Sequence, residues 1–132
     1  MDNKRLARDW FAKAQNDLLA ADNNLAAEKV PFDAVCFHCQ QAAEKLLKGF
    51  LVAHGREYPI THNLLAILTE ILEIEPCADC LYDNLALLTP YAVEIRYPDE
   101  TMTLTREASD EARQAAQEVF EWVKNNMGEL FE

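Results

Sequence analysis

A chain of 132 residues, half of them apolar, has the size of one domain and enough nonpolar side chains for one core. With only 3 glycines against abundant Ala and Leu it favours helix over sheet, and no apolar run approaches the roughly 20 residues of a membrane span. A formal net charge of -11 opposes any broad coating of nucleic-acid phosphate. The charge is uneven. Residues 63–105 hold eight Asp or Glu and a single cation, Arg96, whereas residues 29–62 hold four Lys or Arg against three acids, and all three histidines (His38, His54 and His62). An anion site is therefore expected in 29–62 or at Arg96.

The N-terminal Met1-Asp2-Asn3-Lys4-Arg5 runs straight into an amphipathic pattern, without the apolar stretch and cleavage site of a signal peptide. The chain is expected to be cytoplasmic and full length, with residues 1–132 forming a single domain. A first helix is predicted over 2–28, where Leu6, Trp10, Ala14, Leu18, Ala21 and Leu25 recur at steps of three and four. Val30-Pro31 ends it. A second helix spans 32–54, with Val35, Cys39, Ala42, Leu46, Phe50 and Ala53 as its stripe and Gly55 as its stop. After the loop Arg56-Glu57-Tyr58-Pro59, Thr61 is expected to cap a third helix over 62–73, stapled by Ile60 and Leu65.

Glu75-Pro76 restarts the chain. In the fourth helix Leu81, Leu85, Leu88, Ala92 and Ile95 keep the rhythm through Pro90, which predicts a kinked but continuous helix ending at Tyr97-Pro98. After a loop of about eight residues, a fifth helix is predicted over 105–127, with Ala108, Ala112, Ala115, Val119 and Trp122 inward and Gly128 after its end. Long helices on short loops pack antiparallel, so the expected fold is an all-α, up-and-down bundle of about five helices.

Three segments carry a family resemblance. Helix two reads Cys36-Phe-His-Cys-Gln-Gln-Ala-Ala-Glu-Lys-Leu-Leu-Lys48; Thr61-His62-Asn63-Leu64 follows; and then Leu88-Thr-Pro-Tyr-Ala-Val-Glu-Ile-Arg-Tyr-Pro-Asp99. In this order, on a helical chain of this length, they resemble the HEPN domain, over nearly the whole sequence. The resemblance implies a helical bundle and often a homodimer. It also implies fusion to, or pairing with, a minimal nucleotidyltransferase, in many cases as toxin and antitoxin. Active members of that family are metal-independent RNases that use an Arg and, a few residues later, a His. Arg96 matches the Arg. The His positions hold Thr101, Met102 and Thr103, none of which can transfer a proton near neutral pH. The resemblance therefore implies phosphate or nucleotide binding by Arg96 without the RNase histidine.

Arg96 is the first candidate, because a guanidinium can grip a phosphate with two parallel bonds; its structural alternative is an ion pair with Glu94, Asp99 or Glu100. His38, Gln41, Lys45 and Lys48 share one face of helix two, a candidate phosphate or partner stripe that could equally be a solvated face with a Glu44–Lys48 pair. His62 is expected at the start of helix three, as a structural hydrogen-bonding residue or as a ligand contact. Cys36-x-x-Cys39 and Cys77-x-x-Cys80 have the spacing of a four-thiolate zinc site. Cys36 and Cys39, however, lie on an apolar helix face, which favours small core residues over metal ligands. Trp10, Phe11, Phe37, Phe50, Phe120 and Trp122 fall at helical spacings and are expected mostly in the core or a dimer interface. No Gly-rich phosphate loop is present, and no metal or cofactor is expected.

The leading expectation is a nucleotide- or RNA-phosphate-binding interaction protein, homodimeric and partnered with a minimal nucleotidyltransferase. A metal-independent RNase using Arg96 with His38 or His62 is the alternative from a different class, and a purely structural helical adaptor is the third.

Overall fold

The computed structural model describes residues 2–92 and 104–131. Among them are five helices and no strand: α1 (Asn3–Leu25), α2 (Phe32–Ala53), α3 (Leu64–Leu72), α4 (Tyr82–Leu88) and α5 (Arg106–Met127). Three 3₁₀ turns, Pro76–Leu81, Thr89–Ala92 and Gly128–Phe131, complete the regular structure.

Local chemistry sets the helix ends. Asp2 caps α1 by accepting from the Arg5 amide at 3.2 Å. The weak helix formers Asp22, Asn23 and Asn24 end it three residues short of the predicted 28. α2 closes as anticipated at Gly55, whose φ of 72° is in the left-handed region. The Arg56 amide reaches Leu51 O and the Gly55 amide reaches Val52 O, both at 2.9 Å, a Schellman closure. The cap of α3 is Asn63, not Thr61. The Asn63 side chain accepts from the Leu65 amide at 3.0 Å, while Thr61 Oγ1 accepts from the Asn63 amide. The predicted Ile60–Leu65 staple does not form, because Ile60 is wholly exposed.

The rhythm through Pro90 does not preserve an α-helix. α4 ends at Leu88 and the chain tightens into the 3₁₀ turn Thr89–Ala92. Pro90 has no amide to donate, and one residue earlier Leu85 O accepts from both the Thr89 amide and Thr89 Oγ1, the latter at 2.8 Å. The predicted continuation through Ile95 to Tyr97-Pro98 lies outside the described residues, as do Arg96 and residues 101–103. Thr105 caps α5 by accepting from the Ala108 amide at 3.1 Å, one residue inside the prediction. Gly128 does not stop α5 with a left-handed residue; its φ is -53° and a 3₁₀ turn follows.

α2 is the central element. It packs on α1, α5, α3, α4 and the turn Thr89–Ala92, and is buried almost all round. Small residues permit this. A Cβ added to Gly49 would lie 2.6 Å from Phe11 Cε1 and 3.0 Å from Trp10 Cβ, so α1 sits on bare backbone there. α1 runs antiparallel to α2, since Phe11 lies opposite Gly49 while Asp17 lies opposite His38 and Lys45. α5 runs against α1: Arg113 grips Asp22 through Nε at 2.7 Å, and Phe131 stacks on Phe11 at 4.5 Å. α4 runs against α5, with Asn84 donating to Glu118 at 2.6 Å.

The buried stripe of α1 is Ala7, Phe11, Ala14, Leu18 and Ala21, rotated at its start from the predicted Leu6 and Trp10, which are half-buried. Phe11 and Phe50 are core residues, as expected of the aromatics. No helix among the described residues is long and apolar enough to cross a membrane.

Candidate functional site

The core of α1 contains one charge. Asp17 sits three residues after Ala14 and four before Ala21, on the face turned to α2, and is buried. A carboxylate there needs partners. α2 supplies two of them, His38 and Lys45, seven residues and thus two turns apart. His38 Nδ1 lies 2.9 Å from Asp17 Oδ1, and Lys45 Nζ donates to Oδ2.

A second network continues along α2. Gln40, Glu44 and Lys48 stack at steps of four. Glu44, only 8% exposed at its side chain, accepts from Lys48 Nζ at 2.9 Å on Oε2. On Oε1 it accepts from Gln40 Nε2 at 3.2 Å and contacts His62 Nδ1 at 2.9 Å. Gln40 also donates to the His62 carbonyl at 3.1 Å and accepts from Gln41 Nε2 at 2.8 Å. Burial disfavours the charged form of Glu44, but bonds from His62, Lys48 and Gln40, with the Lys48 charge, outweigh it and hold the carboxyl below its ordinary value. Lys48 Nζ lies 5.1 Å from the centre of the Tyr58 ring, whose neighbour Trp10 meets it edge-on. No buried side-chain N or O atom among the described residues lacks a hydrogen-bond partner.

The stripe His38, Gln41, Lys45 and Lys48 is thus neither a free cationic strip nor a solvated face. The Glu44–Lys48 pair exists, but it is buried, and each lysine is neutralised by a carboxylate from within the fold. His62 is not in the first turn of α3. It lies on the preceding loop and clips that loop to α2, with its ring 70% exposed. A carboxylate can only accept, so each imidazole donates from Nδ1 and keeps Nε2 for another contact. With both imidazoles neutral the two carboxylates and two ammonium groups cancel, and each proton gained adds a positive charge.

Asp17, Gln40 and Tyr58 escaped the sequence reading of the site. Asp17 left a signal there, as a charge on an otherwise apolar stripe. Arg96 lies outside the described residues. The turn Thr89–Ala92, which precedes it in sequence, packs on α2. The third histidine, His54, caps α2, with Nδ1 3.0 Å from Phe50 O.

The cysteines separate into two environments. Cys36 and Cys39 are buried, and Cys77 and Cys80 are exposed in the turn Pro76–Leu81. Burial pushes the Cys39 thiol up to about 12. No group of three or more His, Cys, Asp or Glu among the described residues is arranged to hold a metal ion. Two clefts of about 370 and 350 Å³ along α4 and α5 contain Asp83, Glu111, Glu118 and Glu121 and no Lys or Arg, which disfavours an anionic ligand there.

Comparison with known proteins agrees with this architecture. The sequence profile of the HEPN domain matches residues 7–126. No curated protein matches. Among solved structures, the crystal structure of TT1696 from Thermus thermophilus is similar, at 30% identity and a TM-score of 0.80, over 92% of this chain and 98% of that one.

Proposed function

Because the chain belongs to the HEPN family, we propose that it binds a nucleotide or RNA phosphate along the polar seam of α2, as an interaction protein. Arg96 is the other proposed phosphate contact, through the fork that takes two phosphate oxygens. The family resemblance supports two further parts of the reading: a cytoplasmic homodimer, and a minimal nucleotidyltransferase partner in a toxin–antitoxin-type pair. Fold alone fixes neither.

The observation that carries the phosphate reading is the doubled arrangement on α2. Two buried carboxylates, Asp17 and Glu44, each hold one Lys and one His in place. Keeping ion pairs buried stabilises a fold little compared with apolar replacements. It does fix donors and imidazole edges in advance, and that lowers the ordering cost of binding an anion.

The same geometry favours a second reading, a metal-independent RNase. An imidazole held at Nδ1 by a carboxylate and open at Nε2 is the arrangement of a general base. His62, exposed at its ring, fits this better than His38. A purely structural adaptor, the third reading, predicts that none of these groups affects ligand binding.

The test is fluorescence anisotropy of a labelled, unstructured oligoribonucleotide at low salt in EDTA, with Arg96→Ala and Lys45→Gln beside the wild type. Binding by the wild type, weakened about tenfold in each variant by loss of a charged hydrogen bond of about 1.5 kcal/mol, is the expected result. No binding by the wild type sinks the phosphate reading. Cleavage of the RNA that disappears in His62→Ala puts the nuclease reading first. A pull-down tests for the nucleotidyltransferase partner.

A further inference from the structure

The Cys77-x-x-Cys80 pair has no part in the proposed phosphate site. Both residues are exposed thiols in the 3₁₀ turn Pro76–Leu81, which joins α3 to α4. A 3₁₀ helix has three residues per turn, so side chains three apart eclipse one another. Burial along the turn follows that period. Ala78 and Leu81 are buried, whereas Cys77 and Cys80 are exposed, as are Pro76 and Asp79. The two cysteines therefore stand in one outward row. At a rise of about 2.0 Å per residue their Cα atoms are about 6 Å apart, within the range that disulfides span. Cys80 is also among the groups that raise the Cys77 thiol, so the two sulfurs sense one another. The same spacing on α2 gives no such pair. Three residues of an α-helix leave side chains about 60° out of line, and Cys36 and Cys39 are buried.

The two thiols differ in their surroundings. Glu75 accepts a hydrogen bond from the Cys77 thiol, and that bond, with the Glu75 charge, raises the thiol above its ordinary value. Attack on another sulfur needs the thiolate, so Glu75 slows Cys77 as an attacking group. The same effect makes Cys77 a poor leaving group, which protects a disulfide once it has closed. Cys80, by contrast, lines the cleft of about 350 Å³ that also holds Asn84, Glu118, Glu121 and Trp122. Carboxylates without Lys or Arg draw a small cation into that cleft and repel an anion.

We propose that Cys77 and Cys80 form a thiol–disulfide exchange site for small cationic disulfides, entered at Cys80 and closed by Cys77. The Cys80 thiolate, its proton lost to solvent, attacks one sulfur of the small disulfide and expels the other half as a thiolate, which takes up a proton. Cys77, likewise deprotonated by solvent, then attacks Cys80 Sγ in the mixed disulfide and expels the second half as a thiol. The cysteine pair is oxidised to a disulfide, and one small disulfide is reduced to two thiols. Closure needs the outward row to lean together, and the core contacts of the turn belong to the other row, Ala78 and Leu81. The bond clips the joint between α3 and α4, and excess thiol reopens it.

The experiment treats the reduced protein at neutral pH with cystamine, a dication, or with dithiodipropionate, a dianion, quenches with N-ethylmaleimide and reads intact masses. With cystamine the wild type is expected to become lighter by two hydrogens and to carry no adduct. Cys77→Ser is expected to stop with one cystamine half on Cys80, and Cys80→Ser to react more slowly than Cys77→Ser. Both substitutions fall at exposed positions, so the fold is kept. At low salt the dianion is expected to react roughly tenfold more slowly than the dication, with the gap closing as salt is added. A wild type that holds adducts without closing overturns the proposal, as does a disulfide that joins two chains. Cys80→Ser reacting as fast as Cys77→Ser overturns Cys80 as the point of entry. Equal rates for the two reagents, or a gap untouched by Glu118→Gln/Glu121→Gln, overturn the cationic class.

Discussion

Replacing Glu44 by leucine removes the acceptor shared by Lys48, His62 and Gln40, and the structure assigns a cost to each loss. Lys48 is the expensive one. Its side chain is 11% exposed, and breaking a buried pair from one side costs about 3–5 kcal/mol. The Tyr58 ring 5.1 Å away recovers part of that, so a value near the low end, about 3 kcal/mol, is expected. His62 adds little, because its exposed ring regains water. Gln40 adds little too, because it keeps the His62 carbonyl. The double variant Glu44→Leu/Lys48→Leu should regain most of the loss, since an apolar pair of similar volume replaces a buried ionic one at little or no cost. Urea unfolding followed by circular dichroism measures all three proteins. Acidification gives an independent check. The Glu44 carboxyl in the fold lies below its ordinary value of 4.5, so the unfolded chain binds the proton first and stability rises with pH in that range. The contribution is complete above 4.5 and is lost as pH falls through the lower folded value. The gap between wild type and Glu44→Leu should narrow over that window. A single variant within 1 kcal/mol of wild type, on the scale of about 3 expected for a broken buried pair, would refute the reasoning, as would a double variant no better than the single.

Gly49→Ala should destabilise the fold by about 1–2 kcal/mol despite a gain in helix propensity, because the new methyl meets the buried Phe11 ring; urea midpoints decide it. Asn63→Ala should cost about 1 kcal/mol of thermal stability by removing the α3 cap, and Thr61→Ala clearly less, an order that reverses if Thr61 is the cap. A thiol-specific reagent at neutral pH should label Cys77 and Cys80 promptly and reach Cys36 and Cys39 only after unfolding. The Glu75 hydrogen bond and charge raise the Cys77 thiol, so Glu75→Gln should speed its labelling, measured by mass spectrometry of the tryptic peptide.

The parts of this fold that were legible in the sequence are those decided within a few residues. Steps of three and four in apolar residues located five helices, and Gly55 marked the end of α2 through local backbone chemistry. What was misplaced depends on a neighbouring element. Leu6 and Trp10 fit a helical stripe as well as Ala7 and Phe11 do; Gly49 selects Phe11, because only a bare backbone on α2 admits the ring so closely. Ile60 read as a staple residue because sequence spacing does not reveal that its loop turns outward. The repeat through Pro90 described a face but not the backbone hydrogen bonds beneath it. The same division holds for the cysteines, whose identical spacing conceals one buried and one exposed pair.

The site divides in the same way. The spacing of His38, Gln41, Lys45 and Lys48 announces a shared face, but their meaning depends on Asp17, 21 residues from His38 and 28 from Lys45. Asp17 is nonetheless the most informative residue in α1. A charge set between Ala14 and Ala21 cannot remain unpaired under a covering helix, so it implies cations on whichever helix covers it. α2 is joined to α1 by a short loop and carries His38 and Lys45 two turns apart on one face, which makes it the natural partner. Glu44 follows the same logic from the opposite direction, since its burial draws His62 in from a loop as well as Lys48 from its own helix. A polar side chain on an apolar stripe is therefore evidence about a second element, and here that element is also the one on which the proposed phosphate site is built.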